Sequence, residues 1–263
     1  MTWFIASGAA GCGFASPGYD GTSYACAATA PLCPPGFTCE GGQCRQGDIA
    51  PDPPDAPLAP PAFDATITVP DAAPPVTATF GERPDADHQN VTIDTTITDA
   101  DPTANDGASE RDAIDASPIA STLMRFDLRA IPPGAIVTAA SLDVVVNDPI
   151  ESGTFRLLPL TEAWTEDGAT FLERKAGVLW TAPGALTPSS DPTRVLGEIA
   201  ARAIEPITIT LDPAVVQAWV TAPAANDGFV WISTSPDGRG GQIRSREYTD
   251  ATLRPLLRVT YQP

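Results

Sequence analysis

The sequence predicts an all-β fold: an antiparallel β-sandwich with one short helix, behind a small disulfide-rich segment and a Pro-rich linker. Three observations carry this. From residue 76 onward apolar residues recur at every second position in segment after segment, the period of a strand with one face inward and one toward water. The chain holds 29 Pro and 21 Gly, too many for long helices, and with Asp and Asn they punctuate the apolar runs as turns. Four cysteines, Cys26, Cys33, Cys39 and Cys44, lie within nineteen residues, and none follows them.

At 263 residues the chain has room for one or two domains of roughly 100–200 residues each. Its expected organisation is a signal peptide over 1–12, a Cys-rich knot over 13–45, a linker over 46–75 and a large domain over 76–263. The chain opens with a short apolar stretch, then Ala9-Ala10-Gly11-Cys12, which resembles a bacterial lipobox. Small residues suit a peptidase that draws extended backbone into a narrow site, and Cys12 would be the acylated mature N-terminus. The apolar stretch is at the short end of the usual 7–15 or so residues, with no basic stretch before it. The expected true start therefore lies upstream of Met1. Plain secretion, or a cytosolic protein with a chance cysteine, are the alternatives.

Setting Cys12 aside leaves four cysteines. An even, tight cluster in an exported chain reads as two disulfides. Three connectivities are open, and the interleaved Cys26–Cys39 with Cys33–Cys44 is the expected one. The segment Cys33–Cys44 resembles small EGF-like knots. Zinc is the rival, but the cluster has no Cys-x2-Cys pair. From Gln46 to Pro75 there are nine Pro, five Asp and no base; such sequence stays extended and reads as a stalk.

In the large domain, Thr122, Met124, Phe126 and Leu128 alternate with Leu123, Arg125 and Asp127. Ile136, Ala140, Leu142, Val144 and Val146 fall on one face of a long run. Ile207, Ile209 and Leu211 alternate with Thr208 and Thr210, and Phe229–Ile232 and Leu256–Tyr261 add further strands. One helix is expected: Asp212 caps it, Pro213 takes its first position, and Val215, Val216, Trp219 and Val220 follow at helical spacing. Pro223 closes it.

The net charge is −18. That excludes nucleic acid as a partner, because phosphates demand a basic face, and equally an anionic membrane surface. A membrane is reached only through the lipid anchor. No apolar run approaches the 18–20 or so residues of a membrane span. The acids concentrate between Glu82 and Asp115, ten against two Arg, while Arg239 to Arg258 holds five Arg against two acids.

A series of segments then occurs in fixed order: Asp94–Ile97 with Asn105-Asp-Gly107, Met124–Leu128, Ile131–Leu142, Leu160–Asp167, Val216–Trp219, Gly228–Trp231, and Ser245-Arg-Glu247 followed by Arg254–Tyr261. Over roughly residues 80–262 the series resembles the DNRLRE domain, also called carbohydrate-binding module family 96. Asp106 departs from the aromatic usual there, and Ala163 and Phe171 from the usual acidic and Trp residues. The resemblance implies an extracellular jelly-roll sandwich, appended to polysaccharide-acting enzymes or surface proteins, with acidic polysaccharides bound by some members.

The expected function is therefore a non-catalytic carbohydrate-binding module of a bacterial surface lipoprotein, anchored at the outer membrane or secreted, and monomeric. Its partner would be a polysaccharide or envelope glycan. The alternative is a structural or adhesive envelope protein with a protein partner and no glycan. Trp164 and Trp180 sit in loop-like sequence and are the expected sugar platforms, with Arg244 as a polar contact; Trp219 and Trp231 read as core. Arg125, Asp127, Arg246 and Glu247 read as structural ion pairs within strands. No catalytic residue is assigned: the lone His88 supports no triad, and acids are too many for spacing to single out a glycosidase pair. No cofactor or metal ligand is assigned. Calcium stays open at Asp99–Glu110, which matches an EF-hand loop in its acids but has Ala104 where a Gly is needed.

Overall fold

The structure is a computed structural model that describes Ala25, Cys26, Cys33, residues 37–46 and residues 73–263. The chain divides into two units, Met1–Val69 and Pro70–Pro263. The expected lipobox with Cys12, and nearly all of the expected linker, lie outside the described residues.

In the first unit, β1 (Phe37–Glu40) and β2 (Gln43–Gln46) form an antiparallel hairpin. Its two-residue turn is Gly41-Gly42, both at positive φ, the backbone a tight hairpin demands. Cys39 and Cys44 face each other across the hairpin. Each nevertheless bonds an upstream partner, giving Cys26–Cys39 and Cys33–Cys44. The interleaved pairing is thus the one formed, and no thiolate among these four is left for zinc.

The second unit is built on one antiparallel sheet of eleven strands that curls into a half-barrel. In chain order these are β3 (Val76–Gly81), β4 (Thr92–Thr98), β5 (Arg111–Ala116), β6 (Ile119–Phe126), β7 (Ile136–Asp148) and β8 (Phe155–Pro159). A small separate hairpin, β9 (Glu173–Lys175) and β10 (Val178–Leu179), follows. The sheet resumes with β11 (Gly197–Ile199), β12 (Pro206–Leu211), β13 (Phe229–Ser233), β14 (Gly241–Arg244) and β15 (Leu256–Gln262). One wall runs β11-β8-β13-β6, with β4 also on β6. The other is β3-β15-β7, with β12 also on β7. The paired strands β5 and β14 join the walls. The expected two apolar layers are present, as halves of a single sheet.

The inner core draws on both walls. Met124, Phe126, Phe155, Leu157, Phe229 and Trp231 pack with Leu142, Val144, Val146, Ile209, Leu257 and Val259. The helix α1 (Pro213–Thr221) adds Val215, Val216, Trp219 and Val220 to it, and packs against β7. Asp212 caps it by accepting from the Ala214 N–H at 2.9 Å, with Pro213 at its first position, and Trp219 stacks on Phe229.

Two features depart from simple alternation. On β7 the register against β15 shifts between Thr260 and Tyr261, so Thr138 is an extra residue. The bulge flips the parity before it: Val137 turns inward and Ile136 outward, 63 % exposed, which corrects the expected inward face for Ile136. The second departure is larger. β6 is buried on both faces, because residues 160–185 fold back over its outer side. There Trp164, Ala169, Trp180 and Ala185 pack on Ile97, Leu123, Leu158 and Val230 in a second apolar cluster.

Candidate functional site

That second cluster decides the fate of the expected sugar platforms. Trp164 is 1 % and Trp180 4 % exposed. Both indole N–H groups are spent internally, Trp164 on the Asp227 carbonyl at 2.9 Å and Trp180 on the Thr170 carbonyl at 3.0 Å. A ring with no open face cannot stack on a sugar, so both are corrected to core residues. Trp219 and Trp231 are core, as expected. Arg244 lies elsewhere, on β14, with its guanidinium 4.5 Å from the Tyr248 ring centroid. The structure does not bring the three together.

It instead places a groove of about 340 Å³ beside Trp164, lined by Arg125, Asp127, Arg129, Pro223, Asn226 and Asp227 among others. The turn Asn226-Asp-Gly228 shapes one side. Asn226, buried, donates to the Phe126 carbonyl at 2.8 Å and accepts from the Gly228 N–H at 3.0 Å. Gly228 sits at φ +77° with the Met124 carbonyl where a Cβ would go, so only glycine fits. Arg125 rests its guanidinium 5.8 Å from the Trp164 centroid, and no carboxylate among the described residues pairs with it within 4.0 Å. Burial lowers its pKa, against the pull of Asp227 and Asp127. Burial likewise raises the Asp227 carboxyl, with Arg125 opposing. Of the expected structural ion pairs, Asp127 forms one, with Arg129, while Arg125 forms none within 4.0 Å among the described residues. Arg125 and Asp227 thus both line the groove, and neither side chain is engaged in an ion pair among the described residues.

A second constellation lies where β4 and β5 come together. Asp94 is opposite Met124 in register, so it shares the inward face. Asp94 and Asp112, on β5, are each 1 % exposed. Glu166 arrives on the loop after Trp164, and Glu247 follows β14. Asp94, Glu166 and Glu247 each place an oxygen within 4.8 Å of the others. One residue threads the group: the Arg246 backbone N–H donates to Asp94 Oδ2 at 2.9 Å, and its guanidinium Nε reaches Glu166 at 2.9 Å and Glu247 at 2.5 Å. The expected structural pairing of Arg246 with Glu247 is therefore present. Asn105 fastens the loop by donating to the Glu166 and Ala169 carbonyls, and Gly107 lets the backbone approach Glu166. The acids Asp99, Asp101, Asp106 and Glu110 point outward from a loop between two strands, so the EF-hand geometry is absent.

Burial first, then neighbouring carboxylates, push Asp94 and Asp112 well above the usual range. Glu166 rises too, mainly by burial. Groups so raised hold protons in the folded state that the unfolded chain releases above about pH 4. Their contribution is fullest below that value and is lost as pH rises through the folded pKa. The lowered carboxylates, Asp87, Asp191, Asp237 and Asp250 among them, stabilise the fold above about pH 4 and lose that contribution only as pH falls below it, so they do not alter the slope at higher pH. In chelating buffer the Tm should therefore fall from pH 5 to pH 8, with a shallower slope in Asp112→Asn. A Tm that climbs over that interval would contradict this account.

No protein-family model matches the chain, and no curated protein matches it. Sequence reasoning singled out Arg246 and Glu247 but not Asp94, Asp112 or Glu166. A signal existed: Asp is depleted in strands, yet Asp94 interrupts Thr-Ile-Asp-Thr-Thr-Ile-Thr and Asp112 opens Asp-Ala-Ile. Three of the ordered motifs, around Asp94, Glu166 and Glu247, converge on this cluster.

Proposed function

We propose that residues 76–263 form a non-catalytic carbohydrate-binding domain, displayed by an exported, lipid-anchored surface protein and taking a neutral glycan in the groove of Arg125 and Asp227. The observation that carries this is the groove lined by the partly buried Arg125 and Asp227, neither held in an ion pair within 4.0 Å among the described residues. A fixed donor and acceptor suit vicinal sugar hydroxyls, whose hydrogen bonds to charged groups are worth about 1.5–3 kcal/mol each. The groove balances two Arg against two Asp. The surrounding domain carries 26 acids against 14 bases, which repels a polyanion within a Debye length of roughly 8 Å; hence a neutral ligand. Burial keeps Asp94 and Asp112 away from any scissile bond, which supports binding over cleavage. The order of motifs resembling a carbohydrate-binding family points the same way.

The test is retention of the full chain in native gels cast with neutral or acidic polysaccharides, with and without EDTA. A neutral glycan should retard the wild type, and Arg125→Ala or Asp227→Ala should weaken retention about 10-fold or more. Retention by no glycan would overturn the reading. The second reading, an adhesive module for a protein partner, is favoured by exposed Leu172, Val178 and Leu179 on and beside β9 and β10. It expects indifference to every sugar and loss of envelope-protein crosslinks in Leu179→Ser.

A further inference from the structure

We propose that Asp94, Glu166 and Glu247 bind a divalent cation of the calcium type where β4 meets β5. Their oxygens already converge, each within 4.8 Å of the others, and the donor set is oxygen alone. Hard carboxylates without His or Cys select calcium-like ions over zinc or copper.

Unused bonding capacity points to a ligand there. Asp94 Oδ1, Asp112 Oδ2 and Glu247 Oε2 are each buried with no hydrogen-bond partner. A buried carboxylate oxygen without a partner is costly, and two of them, Asp94 Oδ1 and Glu247 Oε2, belong to the converging triad and call for a shared positive centre. The charge count agrees. Asp94, Glu166 and Glu247 face a single Arg246, and with all three ionised one divalent ion would bring three negative charges against one positive to three against three.

Arg246 positions the ligands. Its backbone N–H holds Asp94 Oδ2, and its guanidinium holds Glu166 and Glu247 from one side, leaving Asp94 Oδ1 and Glu247 Oε2 free to turn to a cation. An entry path exists: a pocket of about 360 Å³ lined by Glu82, Asn90, Arg246, Glu247 and Arg254 opens onto Glu247. It also admits water, which calcium, with its 6–8 or so flexible oxygen ligands, accepts readily. The site shares no lining residue with the Arg125–Asp227 groove and stands whether or not a glycan binds there.

The experiment uses the full chain stripped with EDTA and titrated with calcium chloride, by calorimetry and by thermal melting at pH 7.5. Saturable heat and a Tm rise of about 5–10 °C at a hundredfold excess over Kd are expected. Glu247→Gln and Glu166→Gln, which keep the side-chain shape at partly buried positions, should weaken calcium about 10-fold or more. Asp94→Asn should abolish binding. The double variant Asp99→Asn/Asp101→Asn, in the outward loop, should bind as the wild type. The proposal is overturned if calcium gives neither heat nor a Tm shift, in which case the acids are neutralised by protons alone. It is equally overturned if the loop variant loses binding while Glu247→Gln keeps it.

Discussion

Trp164→Ala should lower the stability of the second unit by about 3–5 kcal/mol, the range for deleting a fully buried large aromatic. The indole is 1 % exposed and packs with Ile97, Leu123, Leu158 and Trp180. Its removal leaves a cavity the surrounding sheet cannot close, because Ile97, Leu123 and Leu158 are fixed by strand pairing. It also strands the Asp227 carbonyl, which accepts from the indole at 2.9 Å, and takes the floor from under Arg125. For a unit of this size the Tm should drop by roughly 10 °C or more, measured by calorimetry. Trp231→Phe is the contrast. Trp231 is just as buried, but its Nε1 has no partner, so losing that group removes no hydrogen bond. Its cost should stay below about 2 kcal/mol. Were Trp164 a sugar platform, the alanine variant would melt like the wild type and lose only glycan retention.

Reduction should dismantle the first unit and leave the second intact. Among its described side chains only Cys26 is buried, so β1 and β2 have no apolar face to hold them. An isolated two-stranded hairpin is at best marginal in water, and each bridge supplies about 2–4 kcal/mol. With dithiothreitol, amide protection across Phe37–Gln46 should vanish. The Tm of the second unit should not move, since no cysteine follows Cys44. A parallel fall in that Tm would show that the bridges support more than the hairpin. Amide exchange read by mass spectrometry, beside a melt in the same buffer, checks both.

The resolution between what was legible and what was not follows the range of the interactions. Strand periodicity and the Asp212-Pro213 cap are local, and β6, β12, β13, β15 and α1 lie where those patterns place them. The β7 bulge was not legible. It is an extra residue measured against β15, more than a hundred positions away. Alternation assigns one face of a strand to water only if nothing covers it, and the segment that covers β6 looks like loop in isolation. That is why Trp164 and Trp180 read as surface and are core. The acid cluster was hidden for the same reason: 152 positions separate Asp94 from Arg246.

The sequence by itself determined the all-β class, the single capped helix, the clustering of four bridge-forming cysteines and the acidic balance, because periodicity, capping and composition act on neighbours, while which cysteine joins which waited on the fold. Only the tertiary structure decided which strand faces are dry, that both layers belong to one curled sheet, and that two buried carboxylates, Asp94 and Asp112, lie near the partly buried Glu166 and Glu247. Those depend on desolvation by distant segments, and burial is a property no residue carries alone.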